Sequence, residues 1–134
     1  MAISTIQNAS LASGVPSAAK LPAGTVLQVV TATYNSTAVS TTSNNTFVTT
    51  GFSASITPTS ATSKILVLHS APTYSSTASA QICLTMYRNS TNLSTSGTPN
   101  GFSQVYYAGG RTQAPIAFTV LDSPTTTSAT VYTL

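Results

Sequence analysis

The chain has one acidic residue, Asp122, and with Lys20, Lys64, Arg88 and Arg111 its charged residues fill 4% of 134 positions, where a globular domain ordinarily has about a quarter. This scarcity excludes most of the reaction chemistry a single chain can perform. Paired-carboxylate catalysis cannot be built within one chain from one Asp. A triad of a serine, His69 and Asp122 survives simple counting, but no G-x-S-x-G elbow accompanies it, and Asp122 falls in the turn-forming Asp122-Ser123-Pro124. No catalytic residue is assigned. Cys83 is the only cysteine and His69 the only histidine, so neither an intrachain disulfide nor a metal-ligand set can form within one chain. Gly109-Gly110-Arg111 lacks the surroundings of a phosphate loop, and no cofactor is expected.

The net charge of +3 reflects missing acids rather than many bases. Four cations scattered along the chain do not make the clustered basic face that nucleic-acid binding requires. No segment has the length of a membrane-spanning helix, and Met1–Gln7 lacks the basic start and apolar core of a signal peptide. Neither nucleic acid nor a membrane is therefore expected as a partner.

Serine and threonine take the polar positions instead, filling about a third of the chain, with hydrophobic residues at 41%. Threonine favours strands and serine turns, so the composition points to a β-rich fold with neutral, hydroxylated surfaces. A chain of this length can build one core without staples. Neutral surfaces are poor at keeping proteins apart. Much of this surface is therefore expected to be covered by copies of the chain or by another protein.

Residues 1–22 hold scattered apolar side chains, and Pro16 and Pro22 prevent a long element, which predicts an extended N-terminal arm. Ile3, Ile6, Leu11, Val15 and Leu21 are its candidate contacts with the chain's own domain or a neighbouring subunit. Residues 23–134 read as one β-domain. Thr25–Tyr34 is rich in β-branched residues and predicts a first strand, followed by a polar loop to Asn45. Phe52–Thr57 alternates between apolar and polar residues and stops at Pro58. Lys64–Ser70 contains the one uninterrupted aliphatic run, Ile65-Leu66-Val67-Leu68, and predicts a central strand buried on both faces, with a loop over Ala71–Thr77.

A second alternating run covers Ala80–Tyr87, followed by a turn at Arg88–Asn92 and a short strand at Gln104–Tyr107. Pro115–Leu121 and Ala129–Leu134 read as a hairpin-like pair that ties the C-terminus into a sheet. Cys83 is expected to be a small buried hydrophobe and His69 a satisfied histidine at a strand end. Seven or eight short strands with no helix indicate an all-β fold, a single β-sandwich of jelly-roll or Greek-key type. Tyrosines on loops can stack on sugars or plug subunit contacts. Tyr74, Tyr106 and Tyr107, with Arg111, are the candidate receptor or subunit contacts.

Several passages resemble a β-domain found in structural proteins of tailed bacteriophages, especially cyanophages and other aquatic phages. They are Gly24-Thr25-Val26-Leu27-Gln28-Val29, the stretch from Phe52 to Pro58, Ser63-Lys64-Ile65-Leu66-Val67, the turn from Arg88 to Thr91, and Leu121-Asp122-Ser123-Pro124. The resemblance covers roughly residues 23–134. It implies a multimeric, often trimeric, virion protein without enzymatic activity, in the tail fibre or on the capsid surface. The chain begins at Met1 with no shaft, which favours a capsid decoration or cement protein. Its partners would be copies of itself and the major capsid protein, with Ile3, Ile6, Leu11, Val15 and Leu21 of the arm as the capsid or subunit contacts. The alternative is a short tail-fibre module that recognises host glycans.

Overall fold

The structure, a computed structural model, describes residues 21–22, 24–34, 46–96, 100–109 and 112–134. Among these residues the fold is all-β, with eight strands and no helix. The strands are β1 (Ser53–Ile56), β2 (Ile65–Ser75), β3 (Ala80–Leu84), β4 (Tyr87–Arg88), β5 (Thr91–Asn92), β6 (Ser103–Tyr107), β7 (Thr112–Asp122) and β8 (Thr130–Thr133). They form three antiparallel sheets, ordered β1-β8-β4-β5, β2-β7 and β3-β6.

The longest pairing is the ribbon of β2 and β7, eleven residues each, running from Ile65 opposite Asp122 to Ser75 opposite Thr112. The aliphatic run that predicts a doubly buried central strand instead alternates. Ile65, Val67 and His69 turn inward, while Leu66 and Leu68 face solvent. A two-stranded ribbon has one inner and one outer face, so the period of two decides burial here even where every residue is aliphatic. The strand also continues through the expected loop, because Ala71, Thr73 and Ser75 keep the inward alternation. Pro72 lies opposite Pro115. Neither has an amide hydrogen, so this is a position where ladder bonds are not exchanged, and the missing donors are those that would point outward from both edges.

Three further expectations change. Thr25–Tyr34 is extended but belongs to no sheet; its one backbone bond among the described residues runs from the Thr25 N–H to the Pro22 carbonyl, 3.2 Å. The Ala80–Tyr87 run breaks at Thr85 and Met86, both buried, into β3 and β4. Finally, β7 and β8 are not a hairpin: β7 pairs β2, whereas β8 lies between β1 and β4. The link Ser123–Ala129 carries the chain from one sheet to another. The C-terminus is tied in as expected, with Thr50 N–H donating to the Leu134 carbonyl and Leu134 N–H to that of Phe52, both 3.0 Å.

The buried apolar side chains are Met86, Tyr107, Ile116, Val120 and Tyr132, accompanied by the buried polar residues His69, Ser75, Thr85, Asp122 and Thr130. Polar groups inside such a core need partners, and most have them. The Tyr107 hydroxyl meets Thr73 Oγ1 at 2.6 Å, and since that Oγ1 donates to the Ala114 carbonyl at 2.8 Å, Tyr107 is the donor in the first bond. This bond links β6 to the ribbon.

Gly101, just before β6, has a φ of +61° and is buried, and a Cβ there would overlap the Leu84 carbonyl, which accepts the Phe102 N–H at 2.8 Å. Gly51 has a φ of +74° but open space around it. Alanine at Gly51 therefore meets only the left-handed backbone cost, about 1–2 kcal/mol. At Gly101 it meets that cost and a clash with backbone. Urea denaturation should show Gly101→Ala losing at least about 1 kcal/mol more than Gly51→Ala.

Candidate functional site

The lone carboxylate is a structural joint. Asp122 is the last residue of β7 and is nearly buried. Arg88 Nη1, from β4, donates to its Oδ1 at 2.8 Å and its Oδ2 at 3.1 Å, and the Tyr132 hydroxyl, from β8, donates to Oδ2 at 2.7 Å. Burial, reinforced by the hydrogen bond to Asp122 and its charge and partly opposed by Arg88, raises the pKa of that hydroxyl well above the ordinary range, which keeps it a donor. Asp122 is therefore a tie between the β2–β7 ribbon and the four-stranded sheet, where the sequence suggests only a turn former. The signal was present in the charge count, because a buried carboxylate must be paired and only four cations were available.

His69 also departs from expectation. It lies within β2 rather than at its end, it is buried, and its Nε2 has no hydrogen-bond partner. Its neighbours are rings: Phe118 at 5.0 Å and Phe52 at 6.0 Å between centroids. Phe52 leads on to Tyr34 at 6.0 Å, and Phe118 stacks on Phe102 at 5.5 Å. Five rings thus connect the extended run, the approach to β1, both strands of the ribbon and the approach to β6. Burial lowers the His69 pKa from its ordinary 6.5, so the ring is neutral inside this apolar cluster. Cys83 is half-buried, and burial pushes its thiol pKa up, away from reactivity.

An apolar groove of about 930 Å³ lies between the extended run Gly24–Ala32 and the residues of β1 and the first half of β2, with Met86 and Tyr132 also on its wall. Beside it, large aliphatic side chains stand in solvent: Val26 at 74% exposure, Val29 at 76%, Leu66 at 59%, Leu68 at 73% and Leu121 at 62%. Leu66 and Leu121 are register partners across the ribbon, so the exposed set is continuous from β7 through β2. Monomeric soluble proteins rarely leave such a patch uncovered. Sequence reading missed it by assigning Leu66 and Leu68 to the interior; the alternation that reveals it appears only once the ribbon has two strands.

Of the residues singled out from sequence, Tyr74 and Tyr106 are exposed, on β2 and β6. Tyr107 is 2% exposed and belongs to the interior rather than to a contact surface. Leu21 is half-buried. Ile3, Ile6, Leu11, Val15 and Arg111 lie outside the described residues. Among the described residues, no group of three His, Cys, Asp or Glu side chains is placed to hold a metal ion, and no helix is long and apolar enough to cross a membrane.

Two outcomes test these interior sites. Asp122→Ala leaves Arg88 unpaired and the Tyr132 hydroxyl without an acceptor, and should cost about 3–5 kcal/mol in chemical denaturation; Arg88→Ala should act in the same direction, and the double substitution should fall short of the sum. For His69, the unfolded chain takes up a proton before the folded one, because the folded pKa is the lower. Stability should hold at neutral pH and fall as pH drops below about 6.5 toward the depressed folded pKa. With only one histidine in the chain, His69→Phe should flatten the denaturation midpoint between pH 7.5 and 5.5.

Comparison of the chain with protein-family models, with curated proteins and with solved structures returned no match.

Proposed function

We propose that the chain is a non-enzymatic structural protein of a bacteriophage virion, a capsid decoration or cement protein that binds the outer capsid surface as a multimer and stabilises it. In this reading the three sheets form a single β-sandwich of jelly-roll or Greek-key type, and residues 1–22 are an arm that reaches neighbouring subunits or the major capsid protein. The observation that carries the proposal is the set of uncovered aliphatic side chains Val26, Val29, Leu66, Leu68 and Leu121. Support also comes from the resemblance of residues 23–134 to phage structural domains and from a surface nearly without charge.

The mechanism is mechanical. Each copy removes apolar surface from water where it lies across a boundary between capsid subunits, at roughly 25 cal/mol per Å² before the costs of association. Many copies repeat that contribution over the shell, and internal pressure must then break all of these contacts to separate the subunits. The exposure of Tyr74 and Tyr106 favours a second reading, a short tail-fibre module that binds host glycans by ring stacking.

Antibody against the chain, applied to intact virions and viewed by electron microscopy, separates the two. The cement reading expects label over the icosahedral head, and expects deletion of Met1–Pro22 to abolish attachment to capsids. Label confined to the tail would overturn it in favour of the glycan-binding module, for which Tyr106→Ala should weaken cell attachment at least tenfold.

A further inference from the structure

We propose that the extended run Thr25–Tyr34, together with the outward face of the β2–β7 ribbon at its Leu66 end, is the surface on which a second copy of this chain docks. The proposal rests in part on the structural-subunit reading above and names the partner that this face takes. Two unmet requirements coincide there. The side chains of Val26, Val29, Leu66, Leu68 and Leu121 are in solvent, and the backbone from Val26 to Tyr34 has no ladder partner among the described residues. A glycan or a lipid can cover apolar side chains, but only an extended polypeptide also supplies amides and carbonyls in register. By the period of two, Val26 and Val30 project to one side of the run and Leu27 and Val29 to the other. A strand apolar on both sides is the pattern of one enclosed between layers.

Area and charge point to a second copy. The exposed surface of these five aliphatic residues comes to roughly 600 Å², most of the 800 Å² or so that each partner contributes to a standard-size complex. Lys64 is the one charged side chain among those lining the groove, and the chain's only carboxylate side chain is already held by Arg88. Two such faces therefore meet with no acidic side chain to desolvate and little like-charge repulsion. The other end of the ribbon is blunted against pairing, since Pro72 and Pro115 oppose each other and remove outward donors from both edges. The Leu66 end has no such device. Opposed prolines are thus found only at the end of the ribbon where no partner is proposed.

Sedimentation velocity of the full chain over a concentration series tests this, alongside Val29→Lys and Leu68→Lys, which alter solvent-exposed positions and should leave the circular dichroism of the chain unchanged. A stable oligomer is expected, with each substitution weakening association at least tenfold, and amide exchange in Thr25–Tyr34 should slow over the concentration range in which the oligomer forms. A chain that stays monomeric throughout, or an oligomer indifferent to both substitutions, overturns the proposal. So does a monomer in which these amides are protected but become exchangeable when Met1–Lys20 is deleted, because the occupant is then the chain's own N-terminal segment. An oligomer sensitive to both substitutions in a chain that fails to label capsids supports this interface while removing the cement reading.

Discussion

One carboxylate holds the two principal sheets in register. Asp122 closes β7 and receives Arg88 from β4 and Tyr132 from β8, so the ribbon and the four-stranded sheet meet at a charge-assisted node. Such a node is costly to bury and more costly to break, because either partner left alone is an uncompensated polar group in a poorly solvated place. With one acid in the chain there is no substitute for it. The change of sheet between β7 and β8 follows: Asp122 and Tyr132, ten positions apart, share a hydrogen bond from different sheets, which a simple hairpin would not require.

Away from that node the elements are linked by a series of rings as well as by buried side chains such as Ile116 and Val120. Tyr34, Phe52, His69, Phe118 and Phe102 form a connected series in which His69 is the central member and the polar exception. An imidazole with an unpartnered Nε2 costs free energy wherever it is buried. Here its neutral form is matched to the faces and edges of aromatic neighbours, a setting that tolerates it better than an aliphatic one. The same ring series fixes the extended run by its Tyr34 end, which accounts for a chain segment that stays extended beside the sheets without being hydrogen-bonded into one.

The all-β class, the alternation in Phe52–Thr57, the stop at Pro58 and the anchoring of the C-terminus were all legible in the sequence, because each follows from local period or turn chemistry. Partner choice was not. Whether Ile65–Leu68 is enclosed on both faces depends on how many strands flank it, and the ribbon supplies one. Likewise, Asp122-Ser123-Pro124 has the composition of a turn, and only the approach of Arg88, 34 positions earlier, turns its first residue into an ion-pair partner. Tyr106 and Tyr107 are neighbours in sequence but lie on opposite faces of β6, so a list of tyrosines could not separate surface from interior without the strand's orientation.

The shortage of charge and the uncovered aliphatic face bear on the same physical problem. An extended apolar run beside an open edge invites indefinite pairing, and proteins ordinarily suppress it with charged side chains on the edge. This chain has almost none to use. What it has instead is proline at one end of the ribbon and a left-handed glycine at φ +86° where the run begins, both of which limit pairing in length rather than prevent it. Pairing limited in this way favours a finite assembly over a fibre, provided the partner saturates the edge when it binds. A surface without repulsive charge is then a requirement of the assembled state, and the exposed face of the single chain is the part of the fold that assembly completes.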